Sequence, residues 1–321
     1  MASYTDKEYK DIINNSNLSY STKAQHLRNI KKAQEISNES IDWIVSNPDK
    51  FKVMLNEHAD TKPTAIHNKA GASYRKALVQ PFYVMFKNDS KLRESNKQLF
   101  EKWNKVYNKL NEPIVEQNKN NEMSEREKEA YVSFDKIEEK RDNLEKGSMN
   151  RLILSMYTLI PPQRSGDFYS TKVYRKPPQG DKKNTENYII LNKNNSKLVM
   201  NDYKTYGEYG QNVINIPKTL KEEIEASLEK NPRKYLIVNN QGKPFADNEN
   251  PRKDITNFIN SRLKSLFNNG YYFNLIRHAY DTDRRSDNEE DRKKQARAMG
   301  HSMQTQSNYV KKTITQSDDS V

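Results

Sequence analysis

Apolar residues recur every three or four positions through the first third of the chain. In "KAQHLRNIKKAQEI", Ala24, Leu27, Ile30 and Ala33 share one face, which predicts a helix with Ser21-Thr22 as its cap. A short helix over "SIDWIVSN" should stop at Pro48, and another begins at Pro63 and runs through "ASYRKALVQPFYVMF". "KLRESNKQLFEKWNKVYNKL" forms one more amphipathic stretch. The pattern then changes. "SMNRLILSMYTLI" is an apolar helix closed by Pro161-Pro162, and "NYIILN", "SKLVMNDYKT" and "QNVINIP" read as three short strands joined by Asn/Gly-rich turns. Helices follow around "KTLKEEIEASLEK", "RKDITNFINSRLKSLF", "FNLIRHAYDTDRR" and "DRKKQARAM", with a short apolar "YLIV" after the first. No internal repeat is visible. The expected fold class is α+β and mainly helical: an all-α N-terminal domain, then a domain with a small antiparallel three-stranded sheet on one edge of a helical bundle.

The loop-like "NKNN" places the boundary near Asn118 to Met123, giving domains 1–118 and 119–321. Charge divides in the same way. Residues 1–113 carry a net +6 and residues 148–321 a net +9, whereas residues 114–147 between them are net acidic.

Composition narrows the partners. The chain has 321 residues, 33% of them apolar and 31% charged, with a formal net charge of +12. An excess of that size favours a polyanion, nucleic acid or an acidic membrane surface. No run approaches the roughly 18 apolar residues of a membrane span, and "MASYTDKEYKDII" lacks a signal-peptide core, so nucleic acid is the better expectation and secretion is not expected. With no cysteine, disulfides, thiolate chemistry and cysteine-based zinc sites are excluded. The five histidines show no close ligand pairing, so no metal or other cofactor is expected. The wealth of Asn and Lys suggests an AT-rich coding genome, a hint of a virus or mobile element.

Breaking a phosphodiester without metal or cysteine calls for a nucleophile, cations on the non-bridging oxygens and an acid for the leaving oxygen. A tyrosine, two arginines, a lysine and a histidine meet that need. They occur in order: Arg164 in "PPQRSGDFYS", Lys204 in "MNDYKTYGEYG", Arg277 in "NLIRHAYDT", His301 in "MGHS" and Tyr309 in "QSNYV". Taken singly each is commonplace. Tyr309 is one of 19 tyrosines, Arg164 could be a surface charge after a turn, His301 could merely cap a helix, and Asp167 could sit in a plain ion pair. Their order and local contexts are not commonplace.

The series resembles the tyrosine recombinase (phage integrase) family, whose pattern is Arg, a hairpin Lys, His-x-x-Arg, His or Trp, and Tyr. Arg164 and Asp167 match the family's R-x-x-[DE], "LIRHAYDT" is similar to its "LRHTFAT" block, and "MGHSMQTQSNY" to its "LGHSxxxTTxxY" block. "EAYVSFDKI" resembles the segment that opens the catalytic domain, and the helical first part resembles the core-binding domain of a DNA clamp. The resemblance implies a site-specific DNA recombinase that forms a 3′-phosphotyrosyl intermediate without metal or ATP. It acts on double-stranded DNA as a homotetramer on two DNA sites, wherever the target DNA is. It also implies roles: Tyr309 attacks, Arg164 and Arg277 hold the phosphate with a hydrogen bond from His301, and Lys204 protonates the leaving 5′-oxygen. Lys204 falls at the end of the second predicted strand, and Lys193 and Lys197 remain alternatives to it.

The chain departs from the pattern twice. Asn274 stands where the family has its first histidine; an amide can donate to a phosphate but cannot shuttle protons. His278, next to Arg277, points elsewhere on a helix and is no direct substitute. Tyr309 also follows His301 one residue sooner than usual, a rotation of about 100° on a rigid helix. Asp167, Asn274 and His278 are thus supporting residues. Two other readings stay open: a type IB topoisomerase-like DNA-relaxing enzyme, and a DNA-binding relative with impaired catalysis. The tail after Tyr309 is expected to be disordered at its "SDDSV" tip.

Overall fold

In the computed structural model, which describes residues 4–61, 71–120, 123–268 and 270–310, the first helices begin where a side chain can cap them. Thr5 and Glu8 form a capping box at α1 (Asp6–Asn14), and Ser19 caps α2 (Tyr20–Ser37) by accepting from the Thr22 N–H. The cap of α2 is therefore Ser19 and not Ser21-Thr22, which lie inside the first turn. Ser40 caps α3 (Ile41–Ser46). Pro48 ends nothing further: it opens α4 (Pro48–Thr61), a helix the sequence pattern did not reveal, because proline suits a first turn as well as it stops a preceding one. The expected start at Pro63 lies outside the described residues, and the helix there is described as α5 (Ala72–Asn88). The next amphipathic stretch is two helices, α6 (Ser90–Ser95) and α7 (Lys97–Lys119), broken at Asn96.

The chain divides into two compact units, Met1–Asn120 and Asn121–Val321. In the first, Ile13, Ile30, Ile44, Phe51, Leu55, Phe82, Phe86 and Trp103 form one fully buried cluster. Trp103 stacks on Phe82 with ring centroids 5.2 Å apart, and its indole N–H donates to the Val45 carbonyl at 2.9 Å. That bond satisfies the one polar atom a buried tryptophan carries.

The second unit opens with α8 (Glu125–Ala130), α9 (Phe134–Asp142) and α10 (Met149–Thr158). From Leu152 to Thr158 every residue of α10 is buried, so it forms the centre of the unit. A 3₁₀ turn at Ser165–Phe168 leads into β1 (Lys172–Tyr174). The short α11 (Lys182–Thr185) precedes β2 (Tyr188–Ile190) and β3 (Ser196–Met200); α12 (Tyr206–Tyr209) precedes β4 (Asn212–Ile216). The helices α13 (Lys218–Lys230), α14 (Pro251–Leu266), α15 (Phe273–Asp283), α16 (Glu289–Ala298) and α17 (Met303–Tyr309) complete the unit.

The expected three-stranded antiparallel sheet needs correction. The three strands are present as an antiparallel meander, β2 to β4, with Tyr188 opposite Val199 and Leu198 opposite Ile214. A fourth strand, β1, adds to β2 in parallel, pairing Lys172 with Tyr188, so the sheet is mixed and ordered β1-β2-β3-β4. Three residues are too few to show alternation, and a parallel partner needs a crossover rather than a tight turn. The strand predicted through Lys204 also ends earlier, at Met200. The fold class is α+β and mainly helical. Among the described residues no helix is long and apolar enough to cross a membrane. The tail beyond Val310 lies outside the described residues.

Trp103→Ala is expected to destabilise the first unit by about 3–5 kcal/mol through cavity formation and loss of the Val45 bond. Trp43, the other of the two tryptophans, lies in the same unit, so its fluorescence during urea unfolding reads that loss directly.

Candidate active site

The end of α16 organises the site. Gly300 adopts φ 70°, the left-handed conformation that suits glycine. Its N–H donates to the Arg297 carbonyl at 2.9 Å, and the His301 N–H to the Ala296 carbonyl at 3.1 Å. These two bonds make a Schellman cap, which explains the Gly-His pair. The last carbonyls of a helix have no partner within it. Here side chains from other segments supply partners: Gln163 and Asn212 donate to Ala298, and Arg277 Nη2 to Met299 at 3.2 Å. Arg164 Nη1 and the Thr205 hydroxyl both donate to the Gly300 carbonyl, at 3.0 and 2.8 Å. Two arginines and the β3–β4 connection thus meet at one helix end, where cations are favoured.

Arg277 is fully buried on α15, with Nη1 donating to the Pro162 carbonyl at 2.8 Å. Its guanidinium lies 4.9 Å from the centroid of the Tyr309 ring. The His301 imidazole stacks on the same ring at 5.3 Å and 5°. The short His301-to-Tyr309 spacing therefore leaves the two rings parallel, because Ser302 caps α17 at once and the helix runs straight to Tyr309. His278 does not point elsewhere: its Nδ1 lies 2.8 Å from the Tyr309 carbonyl and its ring 4.8 Å from the Tyr309 ring. A carbonyl can only accept, so His278 donates there. Nε2 of His278 lies 3.9 Å from Glu127, which also accepts from the Tyr272 hydroxyl at 3.0 Å.

Asp167 is buried and receives Arg252 Nη1 at 2.5 Å, and the nearby backbone N–H of Lys204 favours its ionised form. Burial raises its carboxyl above the usual range, against the opposing pull of Arg252 and Arg164. Lys204 is exposed in the turn after β3, beside Thr205. Asn274 is exposed on the first turn of α15, three residues before Arg277. The structure thus gathers Arg164, Arg277, His301, Tyr309 and His278 around two adjoining points, the Gly300 carbonyl and the Tyr309 ring. It brings the backbone of Lys204, but no contact of its ammonium, to the first.

Sequence reasoning passed over two buried residues. Asp281 lies one helical turn after Arg277, and its Oδ1 accepts from Gln306 on α17 at 2.9 Å. The i, i+4 spacing from Arg277 was the available signal. Four buried polar atoms of this neighbourhood have no hydrogen-bond partner: Arg277 Nε, Asp281 Oδ2, His301 Nε2 and Gln306 Oε1. Burial pushes the Asp281 carboxyl up to about 7 despite Gln306 and Arg277. Burial likewise pushes His301 down to about 3, reinforced by the positive Arg277 and Arg164. His301 Nε2 and Asp281 Oδ2 are 4.0 Å apart, beyond hydrogen-bond reach, so in the range between those values they face each other uncharged and form no ion pair. His301 Nδ1 lies 3.2 Å from the Ser302 carbonyl and donates to it, which leaves Nε2 with its lone pair free. Among the described residues no group of three or more acidic or His side chains is placed to hold a metal.

No protein-family model matches the chain, and no curated protein matches it. Among solved structures it is similar to one described as the crystal structure of XerA recombinase, with 13% identity and a TM-score of 0.40. That match covers 96% of this chain and 94% of the other. What the site can do chemically rests on the geometry of this chain's own residues and not on that likeness.

Two predictions follow from the packing and the charges. Gly300→Ala places a Cβ at positive φ and 3.2 Å from Arg164 Nη1. A cost of about 1–2 kcal/mol in urea unfolding of the second unit is expected. The second concerns pH. His301, lowered on folding, contributes stability that is lost as pH falls below about 6.5, whereas Asp281, raised on folding, loses stability as pH rises from about 4 to 7. In wild type the two slopes oppose each other between about pH 4 and 6.5. Asp281→Asn should expose a stability that rises with pH there and His301→Gln one that falls, each by up to about 1.4 kcal/mol per pH unit in denaturation series.

Proposed function

We propose that this chain is a site-specific DNA recombinase that cuts and rejoins strands through a tyrosyl intermediate, without metal or ATP. The observation that carries the reading is the convergence of Tyr309, Arg277, His301 and Arg164. They come from three segments up to 145 positions apart and meet around one aromatic ring and one helix end. Two guanidiniums beside a histidine that burial and their own charge hold neutral form a cation-rich cluster with unpaired donors and acceptors. A singly charged phosphodiester relieves that repulsion.

In the proposed reaction the Tyr309 phenolic oxygen attacks the scissile phosphorus in line and the bond to the 5′-oxygen breaks. This leaves a 3′-phosphotyrosyl link and a free 5′-hydroxyl. The phenolic proton passes to a neutral imidazole, for which His301 Nε2 is the acceptor at hand. The imidazolium so formed then donates to the phosphate oxygen that Arg164 and Arg277 also hold. Lys204 gives the proton that the departing 5′-oxygen needs; it is chosen over Lys193 and Lys197 because its neighbour Thr205 is bonded to the Gly300 carbonyl. Rejoining reverses these steps with a partner strand's 5′-hydroxyl. Because the Tyr309 ring covers a fully buried Arg277, phosphate reaches that guanidinium only when α17 shifts. Residues 1–118 are assigned the role of a basic, helical DNA-clamp domain and residues 119–321 that of the catalytic domain. A homotetramer on two DNA sites is the proposed working form.

The test is covalent capture from a library of nicked duplexes with randomised sequence, where the nick lets the 5′-hydroxyl fragment diffuse away. Wild type is expected to retain strands through denaturing washes, with the nucleotide mapped to Tyr309 by mass spectrometry, and Tyr309→Phe to retain none. An adduct on another residue, or none from any sequence, overturns the mechanism.

A further inference from the structure

The connection between β3 and β4, which carries Lys204, is held by a clamp of polar groups. Asn187, fully buried just before β2, uses its whole hydrogen-bonding capacity on backbone. Its Oδ1 accepts from the Asn201 and Asp202 N–H groups, both at 2.7 Å. Its Nδ2 donates to the Asp202 carbonyl at 2.7 Å and the Asp167 carbonyl at 2.8 Å. From the other side Arg252, on the first turn of α14, bridges two carboxylates, with Nη1 on Asp167 and Nη2 on Asp202, each at 2.5 Å. Arg252 Nη2 also reaches the Asp202 carbonyl at 3.2 Å, and the guanidinium lies 5.0 Å from the Tyr169 ring, whose hydroxyl donates to Asp202 at 2.6 Å.

The clamp grips both ends of a short span. Asp202 is fixed through its carboxylate, carbonyl and N–H; the next residue, Tyr203, donates from its hydroxyl to the Gly210 carbonyl at 2.7 Å. The Lys204 N–H lies near enough to Asp167 to favour its ionised form, and Thr205 gives its hydroxyl to Gly300. The Lys204 side chain is left exposed. The same Asp167 sits in the 3₁₀ turn that follows Arg164, so the clamp ties the backbone under the lysine to the backbone under one arginine. A planar guanidinium suits this role because its fork meets two carboxylates at once, which an ammonium cannot do in the same plane.

We propose that Arg252 and Asn187 are positioning residues for Lys204: they hold its backbone at a fixed place relative to Arg164, so that the ammonium meets the leaving 5′-oxygen. This rests on the strand-transfer reading above. A residue that acts only through the proton donor matters when the leaving oxygen needs a proton, and ceases to matter when it does not. A scissile phosphate with sulfur in place of the bridging 5′-oxygen departs as a thiolate without protonation.

The test uses the full chain and the duplex recovered from the nicked-library capture, resynthesised with bridging oxygen or bridging sulfur. Arg252→Lys keeps the charge and loses the fork; Asn187→Asp keeps the shape and loses two donors. Both are expected to slow single-turnover cleavage of the oxygen substrate by about 10-fold or more, with the 10²–10⁴ of a complete acid catalyst as the ceiling, and to cleave the sulfur substrate at close to the wild-type rate. In a Lys204→Ala background neither is expected to add a further loss. Equal loss on both substrates, or losses that add to that of Lys204→Ala, overturns the positioning role while leaving strand transfer intact. Failure of wild type to attach to any duplex removes the strand-transfer reading and the Lys204 role with it. The clamp itself is read on the protein alone: Arg252→Lys should speed amide hydrogen exchange at residues 202 to 205, and unchanged exchange there overturns it.

Discussion

A helix that ends inside a protein must find partners for its last carbonyls, and α16 finds them in other segments. Its own cap satisfies only part of the need, and the carbonyls of Ala298, Met299 and Gly300 accept from Gln163, Asn212, Arg277, Arg164 and Thr205. An unpaired buried carbonyl costs on the order of 1–3 kcal/mol, so this convergence is enforced by the fold whether or not a substrate is present. The two arginines stand side by side despite their repulsion because each is bonded to a helix end whose partial negative charge favours them. Gly300 makes the meeting possible, since a side chain there would press on Arg164 and Thr205.

The same arrangement sets the electrostatics. Burial and two neighbouring guanidiniums keep His301 neutral, and burial keeps the Asp281 carboxyl protonated at mildly acidic pH. At mildly acidic pH Asp281 therefore does not offset the positive charge of Arg277 beside Tyr309. Exposed basic charge elsewhere on the chain is screened within about 8 Å at physiological salt, but a buried group is screened much less. Salt should therefore weaken the attraction of a polyanion to the surface far more than it weakens contacts at the buried Arg277.

Regular periodicity was readable where an element has length enough to show it. The Ala24–Ala33 stripe, the apolar α10 and the β2–β4 meander all follow from spacing. What was not readable has specific physical causes. The three residues of β1 carry no alternation, and Pro48 serves equally well as a stop and as a start. The residues that meet at the Gly300 carbonyl and the Tyr309 ring had been marked out by type, order and local motif. Asp281 could have been added from its helical spacing to Arg277. His278 was misjudged because neighbouring positions on a helix diverge toward a single point, yet a tyrosine ring and its own carbonyl are far enough apart to meet both. Arg252 and Asn187 had no signal at all: their bonds join positions 14 to 85 residues apart, through side chains that obey no local pattern.

The helix that carries Tyr309 has only seven residues, well short of the roughly 12–15 at which an isolated helix begins to hold together in water. It persists because Ser302 caps it, Gln306 is bonded to Asp281, and His278 holds the Tyr309 carbonyl. The location of the tyrosine and the folding of its own helix are therefore a single equilibrium. Losing any of these anchors loosens the turn that aims the ring over Arg277. Tyr309 is stowed by a local folding event, and it can be released by a local unfolding event without moving the rest of the core.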